Sequence, residues 1–216
     1  MNTKNVIGYS FRKAMASSNV PKSENDISVF IIELIRKCDE IGITDYSLRP
    51  NQIGRCRGDW FELGIEAILE IFLKSNEFKA YPGRGHRIKE IKGFEKVSWI
   101  PMPDVVFKST ADLRGILTLK WGMRHDRMYE AGYEAYAIKD WCKRAGMREP
   151  AVFLVTNDDF SGFESRLLTM SRCPVMDGVY YVNHESLSSR VKDRIKSMNN
   201  LISDVRRIVR ESPIPQ

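Results

Sequence analysis

The chain has few of the residues that build disulfide frameworks or histidine metal sites. Its 216 residues include four cysteines, which lie far apart and form no CxxC pair, and three histidines, which do not cluster. This pattern argues against a structural zinc site and against a disulfide-stapled secreted domain. It predicts reduced thiols, as in the cytoplasm.

Long hydrophobic runs are also missing. The most apolar stretch, residues 27–35, is short and contains Ser28 and Glu33, whereas a membrane-spanning helix needs about 20 apolar residues. The first residues show no apolar segment of the secretory type. These absences predict a cytoplasmic protein with no membrane partner.

The composition is that of a globular domain. Hydrophobic residues make up 43% of the chain and charged residues 29%, which excludes a disordered or fibrous chain. The length predicts a single domain over residues 1–216. Lys and Arg exceed Asp and Glu by 34 to 28, a net charge of +6. The surplus makes nucleic acid a candidate partner, and a basic protein without such a partner is the alternative.

Periodicity divides the chain into helices and strands. Helical patterns cover residues 27–42, start again near Asp59, and recur over 126–144 and, as one long amphipathic helix, 187–209. Strand-like runs cover 103–107, 116–120, 151–156 and 178–182, and a polar stretch, 74–96, predicts a long loop or irregular hairpin. We therefore expect an α/β fold in which helices flank a mixed central sheet. Its predicted parts are an N-terminal helical part (about 1–58), a central core (about 59–183) and a C-terminal helix (about 185–211).

The first two strands carry the residues that suggest chemistry. If their hairpin is symmetric about residue 112, Asp104 faces Lys120, and Thr118 shares the face of Lys120 because strand side chains repeat every two residues. A carboxylate beside a lysine suits phosphodiester hydrolysis, since the carboxylate can hold Mg²⁺ and the lysine can position water. The alternative is a surface ion pair.

This pattern resembles the PD-(D/E)XK nuclease superfamily. Pro103-Asp104 and the strand ending in Thr118-Leu119-Lys120 match its motif, except that Thr118 stands where a second acid is expected. A subgroup of type II restriction endonucleases, the NgoMIV and EcoRII group, moves that acid to the next helix as (S/T)-X-K-x(12–13)-E. Thirteen residues separate Lys120 from Glu134, which the resemblance makes the relocated acid, with Glu130 as the fallback.

The same group carries a DNA-reading motif, R-(S/P)-(D/E)-R, just after the lysine. This chain has Arg124-His125-Asp126-Arg127, with histidine at the second position. Arginine can donate two hydrogen bonds to guanine, and aspartate can accept one from the cytosine amino group. The alternative is a helix N-terminus with a favourable acid, Asp126, and solvated arginines.

A further acid is expected on an upstream helix. The segment from Arg55 to Glu62 resembles the R-x-G-x-x-x-E helix entry of these nucleases. It makes Glu62 the first choice and Glu66, one turn later, the second. A solvent-facing glutamate on an amphipathic helix is the alternative.

The resemblance implies a type II restriction endonuclease that cuts a short palindromic, G·C-rich site of the CCGG type with Mg²⁺. Asp104 and Glu134 would hold the metal, Lys120 would position the attacking water, and Glu62 would assist. Partners would be double-stranded DNA, a second copy in a homodimer or tetramer, and a DNA methyltransferase that protects the host. The rivals are a repair or structure-specific nuclease of the same superfamily and a DNA-binding module without catalysis.

Two helices need separate interpretation. The middle helix carries four aromatic residues, which we expect to be mostly core, with base stacking as the alternative: Tyr129, Tyr133, Tyr136 and Trp141. The apolar stripe of the C-terminal helix predicts core or dimer packing.

Overall fold

The computed structural model describes residues 3–73, 79–82, 103–109, 112–122, 124–158 and 162–210. Seven α-helices lie within these ranges: α1 (Thr3–Ala16), α2 (Ile27–Tyr46), α3 (Pro50–Phe72), α4 (His125–Arg144), α5 (Phe163–Ser171), α6 (Ser189–Lys192) and α7 (Met198–Arg210). Five strands accompany them: β1 (Lys79–Pro82), β2 (Val105–Ser109), β3 (Asp112–Trp121), β4 (Ala151–Asn157) and β5 (Gly178–Tyr181).

The strands form one mixed sheet in the order β1-β2-β3-β4-β5. The pairs β1–β2 and β2–β3 are antiparallel, whereas β3–β4 and β4–β5 are parallel. Helix α4 connects β3 to β4, and α5 connects β4 to β5, as parallel pairing requires a crossover. The prediction of an α/β fold with a mixed central sheet is confirmed.

The two faces of the sheet are covered by different helices. Leu117 and Leu119 of β3 pack into a core built with α2, α3 and α7, whereas Ile116 packs with Ala135 of α4. Because successive strand side chains point to opposite faces, Thr118 and Lys120 lie on the α4 face. This alternation positions the candidate site.

Helix α4 packs on the sheet through a strip of mostly small side chains. Ala131, Ala135 and Cys142 are fully buried. Asp126 lies in the first turn, and Lys143 and Arg144 in the last, where their charges complement the helix dipole. Packing and end charges therefore agree with the predicted helix over 126–144.

The N-terminal part differs from the prediction. Helix α3 begins at Pro50, at the first helical position that proline favours, and not near Asp59. The expected boundary between residues 58 and 59 therefore falls inside this helix. Helices α1 and α5 were not predicted. Within the ranges given above, no helix is both long and apolar enough to cross a bilayer.

The predicted C-terminal helix is interrupted. The main chain of Lys196 donates to the Val179 carbonyl at 2.9 Å and accepts from the Tyr181 amide at 3.0 Å, so this residue pairs with β5. Asn200 Oδ1 then accepts from Ser197 at the start of α7. A single helix over 187–209 was wrong because backbone pairing with the sheet replaces helical hydrogen bonds there. The apolar stripe of α7 is core, as expected.

The predicted loop or hairpin over 74–96 lies mostly outside the described residues. Its described part is β1, which pairs with β2 at one edge of the sheet.

Candidate active site

The β2–β3 register sets Asp104 against β3. Val105 pairs with Leu117, and the Asp104 amide donates to the Leu117 carbonyl at 3.0 Å. The hairpin is therefore centred one residue earlier than predicted, so that Lys120 lies two residues beyond the position opposite Asp104. The shift accompanies a bulge between Phe107 and Lys108. A two-residue shift preserves the face, and Asp104 stays on the side of Thr118 and Lys120.

Asp104 is tied to the end of β3 by its own carboxylate. Its Oδ2 accepts a hydrogen bond of 2.5 Å from the Leu119 amide. Burial raises the pKa of Asp104, while the Lys120 ammonium and the Leu119 hydrogen bond act in the opposite direction. The side chain is thus held beside a lysine in a poorly solvated place.

Glu134 reaches the same place from α4. Thr118 Oγ1 donates to Glu134 Oε2 at 3.2 Å. Burial raises the pKa of Glu134 to about 7, and the charges of Asp104 and Glu130 add to that effect while Lys120 opposes it. The structure therefore brings Glu134, which the resemblance implied, together with Asp104, Thr118 and Lys120.

Lys120 is nearly enclosed, with 10% of its side chain exposed. Its Nζ lies 3.6 Å from Glu130 Oε1, and Arg127 Nη1 donates to the other oxygen of that carboxylate at 2.9 Å. Thr156 Oγ1 donates to the Lys120 carbonyl at 2.6 Å and anchors the end of β3 to β4. The contact of Glu130 with Lys120 was not predicted, although Glu130 lies one turn before Glu134.

The candidate reading motif lies at the start of α4. Arg124 Nη2 donates to Asp126 Oδ2 at 2.6 Å, and both side chains are exposed. That hydrogen bond lowers the pKa of Asp126. Arg127 is half exposed and points toward Glu130. The exposed arginines and the first-turn acid Asp126 agree with both interpretations, a DNA reader and a helix N-terminus with a favourable acid.

The two candidate upstream acids lie on helix α3. Glu62 and Glu66 are partly buried in the middle of α3, not at its entry, and α3 covers the face opposite α4. Phe61 contacts Trp121 edge-on with ring centroids 5.4 Å apart. Helix α3 thus reaches the end of β3 next to Lys120, and the role of Glu62 stays a prediction.

The tyrosines of α4 are not core. Tyr129, Tyr133 and Tyr136 are 71%, 55% and 56% exposed, and only Trp141 of the four aromatics packs partly against the core. The buried positions of α4 are taken instead by Met128, Ala131, Ala135, Ile138 and Cys142.

The donor set at this place fits a hard divalent cation. Among the residues that the structure describes, no three His, Cys, Asp or Glu side chains gather as a metal site. Mg²⁺, however, is commonly held by one or two carboxylates, with waters and substrate phosphate completing its shell. Burial raises the pKa of both Asp104 and Glu134, and the Asp104 charge raises that of Glu134 further despite the nearby lysine, so added positive charge would stabilise both carboxylates.

Comparison with solved structures relates the fold to a known protein. The chain is similar to the restriction endonuclease Bse634I, with a TM-score of 0.52 and 12% sequence identity over 86% of each chain. No protein-family model and no curated protein sequence matches the chain. The likeness shows a restriction-endonuclease-like fold, in agreement with the predicted fold class.

Proposed function

We propose that the chain is a Mg²⁺-dependent, sequence-specific endonuclease of double-stranded DNA, of the type II restriction class. The observation that carries the proposal is the convergence of Asp104, Lys120 and Glu134 on the α4 face at the end of β3. The likeness in fold to a restriction endonuclease supports it, as does the surplus of positive charge.

The chemistry of each side chain suggests its role in the site. Asp104 and Glu134 would hold Mg²⁺, which supplies charge stabilisation at the scissile phosphate and a more acidic bound water. Lys120 orients the water and stabilises negative charge on the phosphate. Thr118 holds the Glu134 carboxylate toward β3 through its 3.2 Å hydrogen bond. Glu62, or Glu66 in its place, would contribute a further acid from α3.

Arg124, Asp126 and Arg127 would read DNA at the start of α4. An exposed helix N-terminus can enter the major groove, where arginine reads guanine and aspartate reads cytosine. We propose a short palindromic, G·C-rich site of the CCGG type. A palindrome calls for two copies of the chain, one for each strand, as a homodimer or a tetramer of two dimers. A host that makes such an enzyme needs a DNA methyltransferase to protect the same site.

A plasmid digest tests the proposal. The purified chain is incubated with a sequenced plasmid in Mg²⁺ and in EDTA, and the ends are sequenced. Discrete fragments with one common end sequence support a restriction enzyme. Smears or a preference for branched DNA indicate a repair nuclease, and a gel shift without cutting indicates a binding module.

The digest needs a charge-matched control. Lys120→Ala removes the positioned ammonium, whereas Lys143→Ala removes an exposed ammonium from the last turn of α4. We expect cutting to be lost in the first variant and kept in the second. Equal loss in both would mean that the effect is general electrostatics and not a site.

A further inference from the structure

One carboxylate connects the candidate reader to the candidate lysine. Glu130 Oε2 accepts from Arg127 Nη1 at 2.9 Å, and Glu130 Oε1 lies 3.6 Å from Lys120 Nζ. Each oxygen therefore faces a different cation. The first contact is a hydrogen bond, whereas the second is an ion pair longer than a normal hydrogen bond.

The three groups differ in their freedom to move. Lys120 is nearly enclosed at the end of a central strand, whereas Glu130 and Arg127 are about half exposed, with 44% and 52% of their side chains accessible. Arg127, Glu130 and Glu134 follow one flank of α4 at spacings of three and four residues. The Glu130 carboxylate therefore links a shift of Arg127 to Lys120.

We propose that Glu130 is a positioning residue that couples the reading of DNA by Arg127 to the placement of Lys120. The inference rests on the proposed function and adds a regulation of the same site. Without DNA, Arg127 and Lys120 already share the Glu130 carboxylate. When Arg127 binds a guanine with its remaining donors, it keeps its hydrogen bond to Glu130, and the opposite oxygen holds Lys120 at the scissile phosphate. At a wrong base the unpaired Arg127 side chain shifts, Glu130 shifts with it, and Lys120 is misplaced.

This arrangement places part of the sequence discrimination in the cleavage step. Small misplacements of a catalytic group cost roughly 100-fold in rate. A structural role would look different, because exposed helix ion pairs contribute little to stability. Glu130 also raises the pKa of both Asp104 and Glu134, so its removal relieves repulsion and the variant should unfold no more readily than the parent.

A double-mutant cycle tests the coupling. Single-turnover cleavage is measured with saturating enzyme on a duplex that carries the site mapped in the plasmid digest, for the parent, Arg127→Ala, Glu130→Ala and the double variant. Affinity for the same duplex is measured in Ca²⁺. We expect each single variant to cut about 10- to 100-fold more slowly than the parent, and the double variant to cut no more slowly than Glu130→Ala alone.

Glu130→Gln separates the two halves of the contact. The amide oxygen can still accept from Arg127, but the negative charge that faces Lys120 is gone. We expect near-parental affinity and preference in Ca²⁺ with slow cleavage in Mg²⁺. The control is Asp140→Ala with Arg144→Ala, an ion pair at spacing four on the same helix that contacts neither Arg127 nor Lys120. The cleavage rate of this control variant should equal that of the parent.

Each other outcome overturns the inference. Rate losses of Arg127→Ala and Glu130→Ala that multiply in the double variant would show two independent effects. Recovery of Glu130→Ala at higher Mg²⁺ concentration would make Glu130 a metal ligand and not a positioning residue. If the parent cuts and the cycle shows no coupling, this inference alone fails. If the parent cuts no DNA in Mg²⁺, both the proposed function and this inference fail.

Discussion

Thr118 Oγ1 donates a 3.2 Å hydrogen bond to Glu134 Oε2, and so a hydroxyl of β3 meets a carboxylate of α4. The contact places Glu134 over the end of β3, within electrostatic reach of Asp104 and Lys120. The contact supports the proposal that Glu134 is the relocated acid.

If residues 118 and 134 can hold the same metal, a glutamate at position 118 should replace Glu134. Glu134→Ala should abolish Mg²⁺-dependent cleavage and leave DNA binding in Ca²⁺ nearly unchanged. Adding Thr118→Glu to that variant should restore part of the activity. Thr118 contacts Glu134 on the α4 face of β3, and the alanine at position 134 leaves space for the longer side chain at this buried position. Full activity of Glu134→Ala would refute the relocated acid and leave Glu130 as the fallback.

Glu134 should lower the stability of the metal-free protein as the pH rises from about 4.5 to about 8. Burial first, then the charges of Asp104 and Glu130, raise the pKa of Glu134 from 4.5 to about 7. The folded state therefore binds this proton more tightly than the unfolded state does. The corresponding stability is present below about pH 4.5 and is lost as the pH rises through about 7.

Glu134→Gln should remove that pH dependence. In EDTA, the free energy of unfolding of the variant should rise relative to that of the parent by on the order of 2–3 kcal/mol between pH 4.5 and pH 8. Urea unfolding at both pH values measures the difference. If the difference in unfolding free energy between the two proteins is the same at both pH values, the pKa of Glu134 is not raised in the folded state.

Asp104 should contribute to folding through its acceptor as well as to the site. Asp104→Ala leaves the Leu119 amide without its 2.5 Å partner, and an unpaired buried donor costs about 1–3 kcal/mol. Asp104→Asn keeps an oxygen there and should unfold closer to the parent. Both should be inactive. Equal unfolding free energies for the two variants would show that the Leu119 hydrogen bond contributes little.

Arg124, Asp126 and Arg127 should govern which DNA is bound. A bidentate arginine–guanine contact gives roughly 1–3 kcal/mol of discrimination, which is about a 10- to 100-fold loss of cognate affinity in each arginine variant. Affinity for a scrambled duplex rests on phosphate charge and falls steeply with salt. Affinity for the scrambled duplex should fall only by the small amount expected from losing one positive charge.

The comparison uses cognate and scrambled duplexes at two salt concentrations in Ca²⁺. Asp126→Ala should relax the choice at one base pair. If every variant lost cognate and scrambled binding in equal proportion, these residues would be phosphate contacts, and a CCGG-type site would no longer be supported.

Local patterns predicted the elements around the site well. The runs ending at Phe107 and Lys120 are strands, and the segment after Arg124 is a helix, because alternation and helix-end charges are local properties. The face shared by Asp104, Thr118 and Lys120 was predicted for the same reason. The register was not, since it depends on where the two strands turn, with Ser109 opposite Asp112, and on the bulge between Phe107 and Lys108, and alternation shows neither.

Long-range contacts account for the other differences. The periodicity after Leu187 could not show that Lys196 pairs with Val179 and Tyr181, which interrupts the helix. Aromatic character alone could not show that Tyr129 points outward while Ala131 faces the sheet. The contact of Glu130 with Lys120 depends on how α4 is seated on β3, although the spacing of Glu130 from Arg127 and Glu134 could have suggested a shared flank.

The most direct test of the central claim is the single-turnover cleavage rate in Mg²⁺ of four purified proteins: the parent, Asp104→Asn, Lys120→Ala and Glu134→Gln. Circular dichroism and affinity for the same duplex in Ca²⁺ establish that the variants fold and bind. We predict cutting at discrete sites by the parent and no measurable cutting by any variant. Cleavage at a parental rate by any one of the three would contradict the assignment of these residues to one metal-dependent nuclease site.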